Sequence, residues 1–125
     1  MRVLVADDDP VITNLVRSGL RAKGWDVEVA ADTMQALMFA MRSPPDVLVL
    51  DINMPGGTGI TALNRLKASV KTRFIPVLVL SGTTDATVSD TVRNLGAEGF
   101  LPKPVDIDEL DRTLRRILRL PSGGE

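Results

Sequence analysis

The feature that most constrains the fold is a set of five short apolar runs, separated by segments of helix length. The runs are VLVA (3–6), WDVEVA (25–30), DVLVL (46–50), PVLVLS (76–81) and EGFL (98–101). The first, third and fourth are continuously apolar, which is typical of strands covered on both faces of a parallel sheet. The second run alternates, as a strand nearer an exposed edge would. Five βα units predict an α/β fold with a doubly wound parallel sheet.

The segments between the runs carry signals for the starts and ends of five helices. Asp9 followed by Pro10 predicts the start of the first helix, which is expected to end at Gly24. The second helix is expected from about residue 32 or 33 to the SPP sequence at 43–45. The third is expected from about 60 to 70, the fourth from about 86 to 95, and the fifth from the capping-box pattern Asp106-x-x-Glu109. The apolar residues expected to be buried by the first helix are Ile12, Leu15, Val16 and Leu20.

Composition excludes several classes of chemistry. The 125 residues suffice for one domain, and a net charge of −1 gives no basic excess of the kind that direct nucleic-acid binding requires. The chain has no cysteine and no histidine, so any bound metal must be a hard cation held by oxygen. No apolar run approaches the roughly 20 residues of a membrane span, and no signal peptide precedes the first strand. We therefore expect a cytoplasmic protein without membrane contact.

Polar side chains follow the ends of the predicted strands. They are Asp7, Asp8 and Asp9 after the first run, Asp51 after the third, Ser81 at the end of the fourth, and Lys103 after the fifth. Sites in open α/β sheets form at these carboxyl ends. If the first and third strands are neighbours, their ends lie about 5 Å apart, so Asp7, Asp8 and Asp51 share a small volume. Asp9 is explained as a helix cap, and the other three predict an all-oxygen pocket suited to Mg²⁺.

Four motifs, VADDDP, LDINMPGGTGI, VLVLSG and GAEGFLPKP, resemble in order and spacing the response-regulator receiver domain of two-component phosphorelays. The resemblance covers residues 2–120. It implies a flavodoxin-like sheet of five strands in the order 2-1-3-4-5, with five helices on both faces. It also implies a receiver domain over residues 1–120, followed by a flexible tail or the start of a linker at 121–125.

The resemblance implies Mg²⁺-dependent transfer of a phosphoryl group from a partner's phosphohistidine to an aspartate of this chain. Such domains catalyse their own phosphorylation and dephosphorylation and have no external turnover substrate. Asp51 matches the phosphoacceptor and a metal ligand, Asp8 the principal metal ligand, and Asp7 a ligand acting directly or through water. Asn53 matches the position whose main-chain carbonyl completes the protein ligands, and Mn²⁺ is an alternative ion.

The remaining motif positions match residues that handle the phosphoryl group and the switch. Lys103 matches the lysine that pairs with phosphoryl oxygens, and Ser81 matches the hydroxyl that moves to bind them. Phe100 matches the aromatic residue whose rotamer follows that move. Asn53 and Thr83 match positions that flank the path of the attacking water, so the resemblance implies that they tune dephosphorylation. In the family, the peptide bond before the residue that Pro104 matches is usually cis.

The resemblance also implies the partners. A sensor histidine kinase or a histidine phosphotransfer protein would be the donor, and a downstream effector or a second copy would bind the face of helix four, strand five and helix five. We expect that face at about 83–120, bordered by Arg112, Arg115, Arg116 and Arg119. These arginines also suit the helix macrodipole on a solvated face. The sequence leaves open whether the chain is a stand-alone regulator or part of a longer protein.

Three other functions remain alternatives. A phosphorylation-independent interaction module of the same fold would usually lack the acceptor, the acidic pair or the lysine, and all are present here. A flavodoxin-like cofactor binder would need a phosphate cradle rich in hydroxyls and glycine after the first strand, and DDDP is the opposite. A metal-dependent hydrolase would be recognised by turnover of an external phosphate ester.

Overall fold

The computed structural model describes residues 1–52, 59–82 and 86–121, and the predicted site residues Asn53 and Thr83 lie outside these ranges. The elements in chain order are β1 (Arg2–Ala6), α1 (Pro10–Ala22), β2 (Asp26–Ala30), α2 (Thr33–Arg42), β3 (Val47–Asp51), α3 (Gly59–Ala68), β4 (Val77–Ser81), α4 (Ala86–Asn94), β5 (Gly99–Pro102) and α5 (Ile107–Ile117). All neighbouring strands pair in parallel, in the order β2-β1-β3-β4-β5. The predicted fold class and strand order are therefore confirmed.

The central strands of the sheet are covered on both faces, and their side chains alternate between two apolar clusters. In β1, Leu4 and Ala6 belong to one cluster and Val3 and Val5 to the other. The first cluster includes buried side chains of α2, α3 and α4, and the second includes those of α1 and α5. Every residue of β3 and β4 is buried. This double coverage explains why the central strands are continuously apolar in sequence.

The predicted helix starts are confirmed by their caps. The side chains of Asp9, Asp32 and Asp106 accept hydrogen bonds from the amides of Val11, Gln35 and Glu109, at 2.9, 2.8 and 3.1 Å respectively. These bonds satisfy amide groups that a helix leaves unpaired in its first turn. After α1 the chain turns at Gly24, whose φ is 96°. A residue with a side chain would be strained at this angle, which explains the glycine. No helix of the described ranges is long and apolar enough to cross a membrane.

Two expectations about the helices are wrong. Leu15 is 52% exposed, because α1 turns Thr13, Val16 and Leu20 towards the protein interior instead. The third helix ends at Ala68 rather than near residue 70. The Thr72 hydroxyl donates a hydrogen bond of 2.7 Å to the carbonyl of Leu66, which a longer helix would have paired with the amide of residue 70. A side chain beyond the helix thus pairs a carbonyl that the end of the helix leaves open.

Arg115 does not lie on a solvated face as expected, because it joins a buried network between α5 and the turn that precedes β2. Asp111 is only 4% exposed, and its Oδ1 accepts hydrogen bonds from Trp25 Nε1 at 2.8 Å and from Arg115 Nε at 2.9 Å. The Arg115 guanidinium also donates to the carbonyl of Lys23 at 2.9 Å. A buried carboxylate needs such donors, because desolvation without them is costly.

We expect Arg115→Ala to lower the free energy of unfolding by about 2 kcal/mol, because it leaves the buried Asp111 carboxylate with one donor fewer and without its ion-pair partner. The control is Arg116→Ala, because Arg116 is adjacent on α5 and exposed; its effect should stay within about 0.5 kcal/mol. Urea unfolding followed by circular dichroism measures both. Equal losses in the two variants would contradict a structural role for the network.

Candidate functional site

The parallel register of β1 and β3 brings three aspartates together at the carboxyl end of the sheet. Ala6 lies opposite Leu50, so Asp7, which follows β1, and Asp51, the last residue of β3, lie side by side. Carboxylate oxygens of Asp7, Asp8 and Asp51 all lie within 4.8 Å of one another. Asp7 and Asp51 are each 2% exposed, whereas Asp8 is exposed. The site is thus an acidic pocket with two buried carboxylates and one at its mouth.

The turn after β1 fixes the orientation of Asp7. The amide of Asp9 donates to Asp7 Oδ1 at 3.0 Å, and the amide of Asp7 donates to the carbonyl of Ala30 at 3.1 Å. The other oxygen, Asp7 Oδ2, is buried and receives no hydrogen bond from the described residues. A buried carboxylate oxygen without a donor calls for a cationic neighbour. The sequence identified Asp9 only as a cap and missed that its amide also orients Asp7.

Lys103 supplies one such cation from beyond β5. Its Nζ lies 3.1 Å from Asp7 Oδ2 and 3.3 Å from Asp51 Oδ1. The amide of Lys103 donates to the carbonyl of Ser81 at 2.8 Å, which anchors the lysine backbone beside the end of β4. The bond between Lys103 and Pro104 is cis, as the resemblance implies.

The charge state of Lys103 follows from two opposing effects. Burial by itself lowers the pKa of Lys103, but the attraction of Asp7 and Asp51 for its charged form outweighs burial. The net pKa therefore lies above the ordinary value of a lysine. Lys103 stays protonated across the neutral range and remains a fixed positive charge in the pocket.

Ser81 and Phe100 lie on one face of the neighbouring strands. Ser81 is the last residue of β4 and is fully buried, opposite Pro102 of β5. Phe100 lies opposite Val79 and packs, partly buried, against the apolar cluster that contains Val79. Because side chains alternate along a strand, Ser81 lies on the same face as Val79. The predicted switch pair thus shares a face of the sheet, and the switching role itself stays a prediction.

The donors of the pocket fit a hard divalent cation. Three carboxylates face one ammonium, and the chain offers no imidazole or thiolate to any metal. Carboxylate oxygens are the protein ligands that Mg²⁺ and Ca²⁺ prefer. Asp8 at the mouth of the pocket, with Asp7 beside it, would hold such an ion next to Asp51. In the ranges that the structure describes, no other group of three acidic side chains has comparable spacing.

Residues 3–115 match the family model of the response regulator receiver domain. The chain therefore belongs to the response-regulator receiver domain family. It is 42% identical over 98% of its length to the transcriptional regulatory protein TrcR of Mycobacterium tuberculosis, of which it covers 47%. It is 36% identical over 94% of its length to the DNA-binding dual master transcriptional regulator RpaA of Synechocystis, of which it covers 49%. The chain thus spans about half the length of these curated relatives.

Solved structures give the same family. A putative response regulator from Chloroflexus aurantiacus superposes with a TM-score of 0.89 at 30% identity, covering 94% of this chain and 97% of that one. The chemotaxis protein CheY4 of Vibrio cholerae gives 0.88 at 34% identity, with 93% and 97% covered. The receiver domain of the Pseudomonas aeruginosa sensor histidine kinase PA1611, solved with a magnesium ion in its active-site cleft, gives 0.87 at 27% identity, with 94% and 97% covered.

We expect Mg²⁺ to raise the melting temperature of the wild-type chain in a concentration-dependent manner, because an ion that binds only the folded state stabilises it. Asp8→Asn should lose most of this shift, since it removes a carboxylate at the mouth of the pocket. Asp9→Asn is the matched control: Asp9 lies outside the carboxylate cluster, and asparagine also caps helices well. Differential scanning calorimetry measures the shifts. A Mg²⁺ response that is the same in both variants would contradict this metal site.

Proposed function

We propose that Asp51 accepts a phosphoryl group from a partner's phosphohistidine while Asp7, Asp8 and Asp51 hold Mg²⁺. The observation that carries this proposal is the Lys103 ammonium, which lies 3.1 and 3.3 Å from two of the three clustered carboxylates. This arrangement supplies both a carboxylate nucleophile and fixed positive charge at one place. Membership of the receiver family supports the same assignment.

In the proposed reaction, an oxygen of the Asp51 carboxylate forms a bond to phosphorus as the bond between phosphorus and the donor imidazole breaks. The products are an acyl phosphate on Asp51 and a free histidine on the partner. Phosphoryl transfer depends mostly on positioning and on charge stabilisation. Lys103 would stabilise the phosphoryl oxygens, and the Ser81 hydroxyl would bind one of them. Bound Mg²⁺ would offset the repulsion between the phosphoryl oxygens and the carboxylates.

Two further roles are proposed at positions outside the described residues. The main-chain carbonyl of Asn53 would complete the protein ligands of Mg²⁺ or Mn²⁺. Asn53 and Thr83 would set the dephosphorylation rate, because they match the receiver positions that flank the path of the water attacking the acyl phosphate. Ser81 and Phe100 would carry the change of state away from Asp51 along the face that they share.

The donor histidine lies outside these 125 residues, because they contain no histidine. A sensor histidine kinase or a histidine phosphotransfer protein has the required chemistry. Two relatives are named as transcriptional regulators, which supports an output in gene regulation for a protein that carries this domain. The proposed output surface is the face formed by α4, β5 and α5, where Arg112, Arg116 and Arg119 are exposed.

We expect wild type incubated with phosphoramidate and Mg²⁺ to gain one phosphoryl group, which intact-mass spectrometry and peptide mapping would place on Asp51. Asp51→Asn should gain none, and Lys103→Ala should react at least about tenfold more slowly because it removes fixed charge from the transition state. Asp9→Asn serves as the control that keeps the pocket. If wild type gains no phosphoryl group with Mg²⁺ bound, the phosphorylation-independent module becomes the better reading.

We expect beryllofluoride and Mg²⁺, which mimic the phosphorylated state, to promote association of two copies through the output face. The double variant with Arg112→Ala and Arg116→Ala should weaken that association about fivefold or more, since it removes two exposed charges from the face. Arg65→Ala, an exposed arginine on α3, is the control. Sedimentation velocity measures the association. Unchanged association in the double variant would contradict the assignment of this surface.

A further inference from the structure

Gly59, the first residue of α3, packs directly against the backbone that carries Asp51. A Cβ atom added at Gly59 would lie 2.4 Å from the carbonyl oxygen of Asp51 and 2.5 Å from Cα of Ile52. The amide of Gly59 also donates a hydrogen bond of 2.7 Å to the carbonyl of Ile52. The start of α3 and the end of β3 are therefore in van der Waals contact through main-chain atoms.

Space, rather than backbone conformation, requires glycine here. Gly24 and Gly96 have positive φ angles, and an added Cβ would meet nothing at Gly24 and only the Lys67 side chain at Gly96. Gly59 has no such φ, and the atoms that exclude a Cβ are backbone atoms, which cannot rotate out of the way as a side chain can. A side chain at this position therefore forces α3 or the Asp51–Ile52 backbone to move.

Two other glycines give the contrast. A Cβ at Gly19 would meet the side chain of Ile107 at 2.7 Å, and one at Gly99 would meet the side chain of Leu78 at 2.5 Å. These clashes are as severe in distance, but they fall on side chains away from the acidic pocket. Substitution at Gly19 or Gly99 strains the core and leaves the backbone of Asp51 untouched.

We propose that Gly59 is a positioning residue for Asp51: its missing side chain lets α3 clamp the end of β3 so that the Asp51 carboxylate faces Asp7 and Lys103. This inference rests on the proposed function. To reach an ordinary contact distance of 3.4 Å from the Asp51 oxygen, a Cβ would require a backbone shift of about 1 Å. A misplacement of that size at a reacting group costs roughly a hundredfold in rate. Asp51 has little tolerance for such a shift, because its Oδ1 lies 3.3 Å from Lys103 Nζ.

The experiment compares Gly59→Ala with Gly19→Ala and Gly99→Ala in the full chain. Urea unfolding ranks the three variants by stability. The rate of Asp51 phosphorylation by phosphoramidate and the dissociation constant for Mg²⁺ are then measured under conditions where each variant is folded. We expect Gly59→Ala to lose roughly tenfold to a hundredfold in rate and to bind Mg²⁺ more weakly. Gly19→Ala and Gly99→Ala should stay within about twofold of wild type in both quantities, whatever their stability.

The controls separate the possible failures. If wild type is phosphorylated and Gly59→Ala reacts as fast as Gly19→Ala, the positioning role is overturned and the proposed function stands. If wild type is not phosphorylated, the proposed function fails, and the Mg²⁺ affinities of the same variants still decide the positioning role. If Gly59→Ala is unfolded in buffer, trimethylamine N-oxide is added to refold it. If refolded Gly59→Ala still binds Mg²⁺ weakly, the inference is supported. If it regains both its fold and the Mg²⁺ affinity of wild type, the inference is overturned.

Discussion

Two buried carboxylates meet one ammonium at the carboxyl end of the sheet, and the arrangement of the site depends on that contact. Asp7 and Asp51 are almost fully removed from water. Two like charges in that setting repel each other strongly, and a nearby cation is needed to offset the repulsion. Lys103, which follows β5 at the same end of the sheet, supplies part of the compensation. Because Asp8 adds a third carboxylate, the compensation is incomplete, and the pocket retains an attraction for a second cation.

The same contact links the end of β5 to the ends of β1 and β3, neither of which is a neighbour of β5 in the sheet. Asp7 follows β1, Asp51 ends β3, and Lys103 follows β5, so the two ion pairs span the sheet from its interior to one edge. The amide of Lys103 is bonded to the carbonyl of Ser81, which ties the lysine to β4 as well. A change of charge on Asp51 would therefore alter the force on Lys103 and act on the backbone of β5.

Much of the fold could be predicted because the signals are local. The continuously apolar runs gave the buried strands, and aspartates at Asp9, Asp32 and Asp106 marked helix starts that their caps confirm. The failures concern packing between distant segments. Whether Leu15 faces the core depends on how α1 is rotated, and the position of Arg115 depends on Trp25, which is ninety residues away in sequence. The periodicity of a single helix indicates neither how α1 is rotated in the fold nor which distant residue Arg115 contacts.

The candidate site was predictable to the extent that parallel strands end together. Adjacent β1 and β3 are enough to bring Asp7, Asp8 and Asp51 into one volume. The strand-end pattern placed Lys103 at this edge of the sheet, but its pairing in the pocket was indicated only by the resemblance, because it depends on the path of the chain after β5. The close approach of Gly59 to Asp51 was missed, because a glycine required for space and a glycine required for a turn look the same in sequence.

The network around Asp111 has a practical consequence. Trp25 is the one tryptophan of the chain, and its indole N–H is bonded to the carboxylate of Asp111 on α5. Indole emission is sensitive to hydrogen bonding and to nearby charge. The intrinsic fluorescence of this chain therefore reports how α5 is seated, without any introduced label.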